Sequence, residues 1–167
     1  MHGIDEISQE IRAKGQLICA PKHLLVVHVS PVGDGTPYIE VASDGYFYVS
    51  SERGCEIFRK KASSKNELLY FIFKDITWSM ANDYELANRI EKQDPRRMIF
   101  SKKLELLKKV NPEWESKEKE EINKILRNSP YDDMASSRAK YCRKLREQGL
   151  KESKIDELSY KKYPPPP

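Results

Sequence analysis

The spacing of apolar residues divides the chain into an N-terminal helix, a group of short strands and a run of helices. Ile4, Ile7 and Ile11 recur at helical spacing and predict a short amphipathic helix over residues 4–14. The apolar runs that follow are short and rich in β-branched or aromatic residues, which is typical of strands. They occupy residues 24–29, 38–41, 46–49 and 55–59.

Turn residues separate these runs. Residues 30–35, Asp44-Gly45 and Arg53-Gly54 supply the glycines and small polar groups that tight turns favour. Strands joined by such short connections pair with their neighbours in antiparallel order. The sequence therefore predicts an antiparallel meander of about four strands.

A long helix is predicted after Lys61. Ser63 or Ser64 can cap its start, and Glu67 lies three residues past Ser64, as in a capping box. The pattern continues to about Ile90, and charged residues interrupt it too often for a membrane span. Its predicted buried stripe consists of Leu69, Ile72, Phe73, Ile76, Met80, Ala87 and Ile90.

Further helices are predicted from their start signals. Asp94-Pro95 and Asn111-Pro112 each place a capping side chain before a proline. Asp132 or Asp133 caps another helix, with Met134, Ala135, Cys142 and Leu145 inward and Gly149 at its end, and a short helix is predicted near residues 153–160. The predicted fold class is α+β: an N-terminal helix, the meander, and four or five C-terminal helices packed on one face. Residues 1–163 would form a single domain, followed by a polyproline tail over 164–167.

Charge and cysteine content narrow the function. The net charge of +4, from 30 basic and 26 acidic residues, does not by itself imply a nucleic-acid partner. The three cysteines are widely spaced, and the polar N-terminus is unlike a signal peptide, so we expect a cytoplasmic protein. His23 and His28 would face opposite sides of a strand, so neither a metal site nor a cofactor is expected.

Catalysis is not expected. The sequence has no nucleophile elbow, P-loop, HExxH or CxxC motif, and Asp132-Asp133 is more simply a helix cap than a catalytic pair. The basic segment Arg138–Arg146 is either a solvated helix or a phosphate-binding surface, so a nucleic-acid-binding regulator is the alternative function. A tail ending Tyr163–Pro167 is also the type of segment that polyproline-binding domains recognise.

The polar face of the long helix is the main candidate for binding. Its residues Asp75, Ser79, Asn82, Glu85 and Arg89 recur every three or four positions. The face is either solvated, with Glu85 and Arg89 as an ordinary pair, or a binding stripe flanked by Trp78 and Tyr84. The second interpretation makes these the candidate partner-binding residues: Asp75, Trp78, Asn82, Asp83 and Glu85.

Arg96 and Arg97 are unusual because they fall in the first turn of a helix. The helix dipole disfavours a cation there by roughly 0.3–1 kcal/mol. One explanation is an internal clamp to Glu52, Asp83 or Glu85. The other is an acidic partner or a phosphate, although no glycine-rich loop precedes the two arginines.

Three pieces of the sequence resemble the bacterial immunity protein 63 family over about residues 38–133. They are Tyr48-Val49 with Glu52–Glu56, the segment Leu68–Ile90, and Asp94–Phe100 with a following LELL. The resemblance implies a protein that binds one polymorphic toxin domain and blocks it. Many such toxins are nucleases, so Asp75, Asp83 and Glu85, or residues 113–121, could imitate the phosphate backbone.

The resemblance also assigns polar positions. A surface specific for one toxin should vary, so polar residues shared by a family are expected to be structural. We therefore expect a structural polar motif composed of Glu52, Arg53, Arg89, Asp94, Arg96 and Arg97.

Overall fold

The computed structural model describes residues 3–166, and the described chain has six α-helices, one 3₁₀ helix and one three-stranded sheet. Met1, His2 and Pro167, the last residue of the predicted tail, lie outside the described residues. The elements in order are α1 (Ile4–Leu17), the 3₁₀ helix (Lys22–Leu25), β1 (Tyr38–Ala42), β2 (Gly45–Glu52), β3 (Cys55–Ala62), α2 (Lys65–Ala87), α3 (Pro95–Val110), α4 (Pro112–Asn128), α5 (Ala135–Glu147) and α6 (Glu152–Lys162). The α+β class and the antiparallel meander are confirmed, with three strands instead of about four and five helices after the sheet.

The strand predicted at residues 24–29 is wrong. Pro21 precedes a 3₁₀ turn there, and its carbonyl accepts the Leu24 N–H at 3.0 Å. The apolar side chains Leu24, Leu25 and Val27 pack on the core individually, while Val26 and Val29 are more than half exposed. A short apolar run is compatible with a strand and with this irregular packing, so the spacing of its residues cannot distinguish the two structures.

The chain forms two compact units. The sheet unit runs up to Met80 and includes Lys103–Ser116, and the helical unit comprises Ala81–Lys102 and the chain from Lys117 onward. The expected single domain over 1–163 stays a prediction.

Aromatic packing between the sheet and α2 forms the core of the sheet unit. In the central strand β2, Tyr48 lies opposite Ile39 of β1, and its ring centroid is 5.7 Å from Phe58 and 6.5 Å from Phe71. Phe73 of α2 contacts Trp114 at 5.7 Å between centroids. The predicted stripe is confirmed for its buried members Leu69, Ile72, Phe73 and Ile76.

The predicted stripe is wrong at its C-terminal end. Helix α2 ends at Ala87, which is exposed, and Ile90 lies beyond it with 55% of its surface exposed. In the last turns the buried positions are instead Ala81 and Glu85. The apolar spacing of the sequence therefore extends past the end of the helix and does not show where along α2 burial stops.

Helix starts follow the sequence signals closely. Ser64 Oγ accepts the Glu67 N–H at 3.2 Å, and the Glu67 carboxylate accepts the Ser63 N–H at 2.9 Å. Asp94 and Asn111 each accept the N–H two residues later at 2.9 Å. All three predicted starts are confirmed because the cap needs only residues adjacent in sequence.

The start of α5 differs from the prediction. Met134 occupies the N-cap position without a side-chain hydrogen bond of its own, and its N–H donates to the Asp132 carboxylate two residues earlier at 3.0 Å. Met134 and Ala135, predicted to point inward, are exposed, whereas Leu145 is buried as expected. Asp133 is not a cap because its carboxylate is used elsewhere, as described below.

Gly45 is required where β2 begins. Its φ is +141°, and a Cβ at this position would lie 2.7 Å from the carbonyl oxygen of Ala62 on β3. Gly54 provides a matched control, because its φ is +82° and a Cβ there would meet nothing within 4 Å. We expect Gly54→Ala to lower the free energy of unfolding by about 1–2 kcal/mol, because of backbone strain alone. Gly45→Ala should cost more than about 3 kcal/mol, because strain and a backbone clash act together.

Urea unfolding of the two variants measures both losses. Equal losses in the two variants would show that the close approach of β2 and β3 at Gly45 does not matter.

Candidate functional site

In the sheet unit, Asp75 and Tyr48 form a side-chain pair. The buried Tyr48 hydroxyl donates a 2.8 Å hydrogen bond to Asp75 Oδ2. Burial, the Asp75 charge and this hydrogen bond raise the pKa of Tyr48 well above its ordinary value, so the hydroxyl keeps its proton. Asp75 itself is exposed, and the bond to Tyr48 fixes the orientation of its carboxylate.

Trp78 lies one turn further along α2 in the same unit. The side chain is 44% exposed, and the ammonium of the buried Lys103 lies 5.4 Å from its ring centroid. A cation at this distance from an aromatic ring attracts its electron-rich face and restrains it. Trp78 is therefore an exposed aromatic group of the type that dominates protein interfaces.

In the helical unit, the end of α2 carries the other predicted binding residues. Asp83 and Tyr84 are exposed, Asn82 is half-buried, and Lys102 Nζ lies 4.8 Å from the Tyr84 ring centroid. The predicted exposed stripe is interrupted at Glu85, which is only 4% exposed.

Glu85 forms an ion pair with Arg89. Both of its oxygens accept 2.8 Å hydrogen bonds from the Arg89 guanidinium, and this contact lowers the pKa of Glu85. The expected Glu85–Arg89 pair is confirmed. Leu86, which is 64% exposed, was not identified from the sequence, because apolar spacing alone does not show which side of a helix stays uncovered.

The acidic segment 113–121 contributes less exposed charge than expected. Glu118 is buried, and Glu121 accepts a 2.7 Å hydrogen bond from Lys124. Glu113 and Glu120 are exposed. Phosphate imitation by this segment would therefore depend on few of its carboxylates.

A second polar arrangement, the Asp94 cluster, lies in the helical unit. It consists of Asp94, Arg96, Arg97, Asp132, Asp133 and Arg138. Asp94 is 6% exposed. It accepts bonds from the Arg96 guanidinium at 2.7 Å, the Arg96 N–H at 2.9 Å and the Asp132 N–H at 2.8 Å.

Arg97 pairs with Asp133 in the same cluster. Two nitrogens of Arg97 donate to Asp133 at 2.9 and 3.0 Å, and Asp133 also accepts the Asp94 N–H at 2.8 Å. The guanidinium carbon of Arg97 lies 4.3 Å from the Tyr131 ring centroid. Asp94 and Asp133 thus offset the cost of two cations at the start of α3.

The internal clamp expected for Arg96 and Arg97 is present, but the partners predicted for it are wrong. Glu52, Asp83 and Glu85 were the expected acids. Arg96 instead uses Asp94 and the backbone oxygens of Ser129 and Pro130, at 3.0 and 2.7 Å. Ser129 and Pro130 are more than thirty positions from Arg96 in sequence, so no local pattern identifies them. A structural role for the cluster stays a prediction, which the Asp94 variants described below test.

Glu52 and Arg53, the remaining members of the predicted structural motif, lie at the β2–β3 turn. Glu52 ends β2 and pairs with Cys55, and Arg53 is the first residue of the turn. Arg53 has a φ of +50° and is followed by Gly54 at +82°, so both turn residues are left-handed. The Arg53 N–H donates to the Gly33 carbonyl at 3.1 Å, while its side chain is 90% exposed. The backbone of Arg53 positions the turn, and the exposed side chain lies 3.8 Å from the Glu52 carboxylate.

Part of the basic segment Arg138–Arg146 forms ion pairs with carboxylates of the chain. Arg138 bonds Asp132 and donates to the Tyr163 carbonyl at 2.8 Å, and Arg146 makes two bonds to Glu152 at 2.7 and 2.9 Å. The remaining cations of the segment, Lys140, Arg143 and Lys144, are exposed and make no ion pair within residues 3–166.

Each unit has a concave region. A cavity of about 190 Å³ in the sheet unit is lined by both His23 and His28, together with Tyr48 and Asp75. The expectation that the two histidines face opposite sides of a strand is wrong, because no strand forms there. A larger groove of about 630 Å³ lies in the helical unit between the end of α2, the loop that follows it, α5 and the end of α6.

Within residues 3–166, no group of three or more His, Cys, Asp or Glu side chains is arranged to hold a metal ion. None of the described helices has both the length and the apolarity that crossing a bilayer requires.

Comparison with known proteins identifies one family. The model of the family Immunity protein 63 matches residues 42–124, from the end of β1 into α4. The expected resemblance is confirmed, over a segment shorter at both ends than predicted. No curated protein and no solved structure matches the chain.

Asp94→Asn tests the structural role of the cluster. The amide would face the half-buried Arg96 guanidinium and leave that cation without its carboxylate. We expect the free energy of unfolding measured in urea to fall by about 2–4 kcal/mol. Asp83→Asn, in an exposed helical position, should change stability by less than about 0.5 kcal/mol. If both variants unfold at the same urea concentration, the cluster is not structural.

Stability should also depend on pH. Burial alone would raise the pKa of Asp94, but hydrogen bonds from Arg96 and from the Asp132 and Arg96 amides lower it overall. Hydrogen bonds from Arg97 and the Asp94 amide lower the pKa of Asp133. Carboxyls with a lowered folded-state pKa stabilise the fold above their unfolded pKa of about 4, and lose that contribution as pH falls through the folded value.

The urea concentration at the midpoint of unfolding should therefore be constant from about pH 6 to 8 and should decrease once the pH drops below about 4. The decrease should be smaller in Asp94→Asn than in the wild type. The same acid sensitivity in both proteins would exclude Asp94 as a cause.

Proposed function

We propose that this chain is an immunity protein that binds one toxin domain and blocks it by stoichiometric contact. The observation that carries the proposal is the family match over residues 42–124. That segment includes all of α2 and α3, which carry Arg96 and Arg97 of the Asp94 cluster and the exposed aromatic residues Trp78 and Tyr84. Inhibition by contact needs no cofactor, and the partner is a protein in the cytoplasm of the producing cell.

The proposed contact residues lie on α2 and are divided between the two units. Asp75 and Trp78 form the contact patch of the sheet unit, and Asn82, Asp83 and Tyr84 form that of the helical unit. Trp78 and Tyr84 are each more than two-fifths exposed beside a lysine. Exposed Trp and Tyr residues carry a large share of the binding energy in protein complexes.

Electrostatic imitation is a further part of the proposal. Asp75 and Asp83 are exposed carboxylates that would oppose a basic active site, such as that of a nuclease toxin. Glu85 is excluded from this role because it is buried against Arg89.

The alternative function, nucleic-acid binding through α5, has less support. Two of the five basic side chains between Arg138 and Arg146 are held by carboxylates of the chain. A gel shift at low salt separates the two functions, because phosphate contacts weaken steeply as salt rises. Binding to DNA or RNA at low salt without binding to a toxin would favour the alternative.

Co-expression with the toxin domain encoded beside this chain tests the function directly. We expect the chain to restore growth, and titration calorimetry to show one chain bound per toxin domain. A toxin that neither binds nor loses its effect would refute the immunity function.

Variants test the surface separately. Trp78→Ala should weaken binding by about 30-fold, the effect of losing a hot-spot side chain. Asp83→Lys should weaken binding by about tenfold, whereas Asp156→Lys, an exposed acid on α6, should leave it within about twofold. Unchanged affinity in Trp78→Ala and Asp83→Lys, with growth still restored, would keep the function and reject this surface.

A further inference from the structure

The groove of the helical unit is strongly basic. It encloses about 630 Å³, and the cations that line it are Arg89, Lys92, Lys140, Lys144 and Lys162. Two carboxylates, Glu85 and Glu91, line it as well. We call this region the basic groove.

Most of this charge is not neutralised within the chain. Arg89 is paired with Glu85, but Lys92, Lys140 and Lys144 make no ion pair with any residue of the range 3–166. The segment from Ala135 to Lys162 holds nine basic and four acidic residues, although the whole chain carries only +4. The positive charge of the protein is thus concentrated on the helices that form one wall of the groove.

That wall is held in place by specific contacts. Lys162 Nζ lies 4.3 Å from the Tyr141 ring centroid, and the Tyr141 and Tyr163 rings meet edge-on at 5.9 Å. Arg138 fixes the Tyr163 carbonyl at 2.8 Å. On the other side, Lys92 has a φ of +59°, a strained conformation for a non-glycine residue of the kind found at functional sites.

The family match ends at residue 124, before both helices of this wall begin. A surface that distinguishes one toxin from another is expected outside the segment that a family shares. We propose that the basic groove binds an acidic segment of the partner protein and helps to determine which partner is recognised. Only the identification of that partner as a toxin rests on the proposed function.

The size and the charge pattern favour a protein segment over a nucleic acid. A volume near 630 Å³ is that of a site for a small ligand or a few side chains. Specific nucleic-acid interfaces bury about 1,000–2,500 Å² of protein surface and are predominantly positive. The exposed Glu91 would repel a phosphate backbone that followed the groove, whereas the separate carboxylates of a protein segment can avoid it.

Fluorescence anisotropy with labelled hexaglutamate tests the proposal at an ionic strength of about 0.01 M, where charges act over about 30 Å. The double variant Lys140→Glu/Lys144→Glu reverses two exposed, unpaired cations of the groove. Arg143→Glu/Lys161→Glu is the matched control, because it makes the same change in charge on the same two-helix segment outside the groove. Lys92→Asn is a third variant, since asparagine tolerates a left-handed φ.

We expect the groove variant to bind hexaglutamate at least about tenfold more weakly than the wild type, and the control to stay within about twofold. Lys92→Asn should also weaken binding without loss of stability. Equal weakening in groove variant and control, or no binding by the wild type, would overturn the proposal. Tighter binding of a single-stranded DNA of about twelve nucleotides, weakened by Arg143→Glu/Lys161→Glu, would overturn it in favour of nucleic acid.

The same variants can then be measured against the toxin. Equal affinity of the toxin for all variants would show that the groove takes no part in recognition, but it would leave the immunity function intact. Failure of the toxin to bind the wild type would instead contradict the immunity function itself.

Discussion

In the helical unit, one buried carboxylate accepts hydrogen bonds from two separate segments of the chain. Asp94 accepts bonds from the guanidinium and the backbone of Arg96 and from the Asp132 amide, and it caps α3. Through Asp132, the same network reaches Arg138 and the carbonyl of Tyr163 near the C-terminus. A buried charge is tolerated only when it is paired and hydrogen-bonded, so the segments around Asp94 can pack only in an arrangement that supplies these donors.

This constraint explains why polar residues within the family match need not contact a partner. Asp94, Arg96 and Arg97 use their hydrogen-bonding groups on neighbouring parts of the chain. Trp78 and Asp83, by contrast, are exposed on α2. We infer that the polar cluster maintains the fold and that the exposed positions of α2 and the basic groove serve recognition.

Local signals in the sequence predicted local structure well and distant contacts poorly. The caps at Ser64, Asp94 and Asn111 were predictable because their partners lie within three residues. The pairing of Arg97 with Asp133 and the shared cavity of His23 and His28 were not, since both depend on tertiary packing. The basic groove was missed for the same reason: the loop after α2 and the helix α5 are some fifty residues apart along the chain.

We propose that one copy of this chain inactivates one toxin domain by binding it. The most direct measurement is titration of the purified toxin's activity with increasing amounts of the protein. Stoichiometric inhibition predicts that toxin activity falls linearly and is abolished at a ratio of one to one. Full toxin activity in the presence of a large excess of the protein would contradict it.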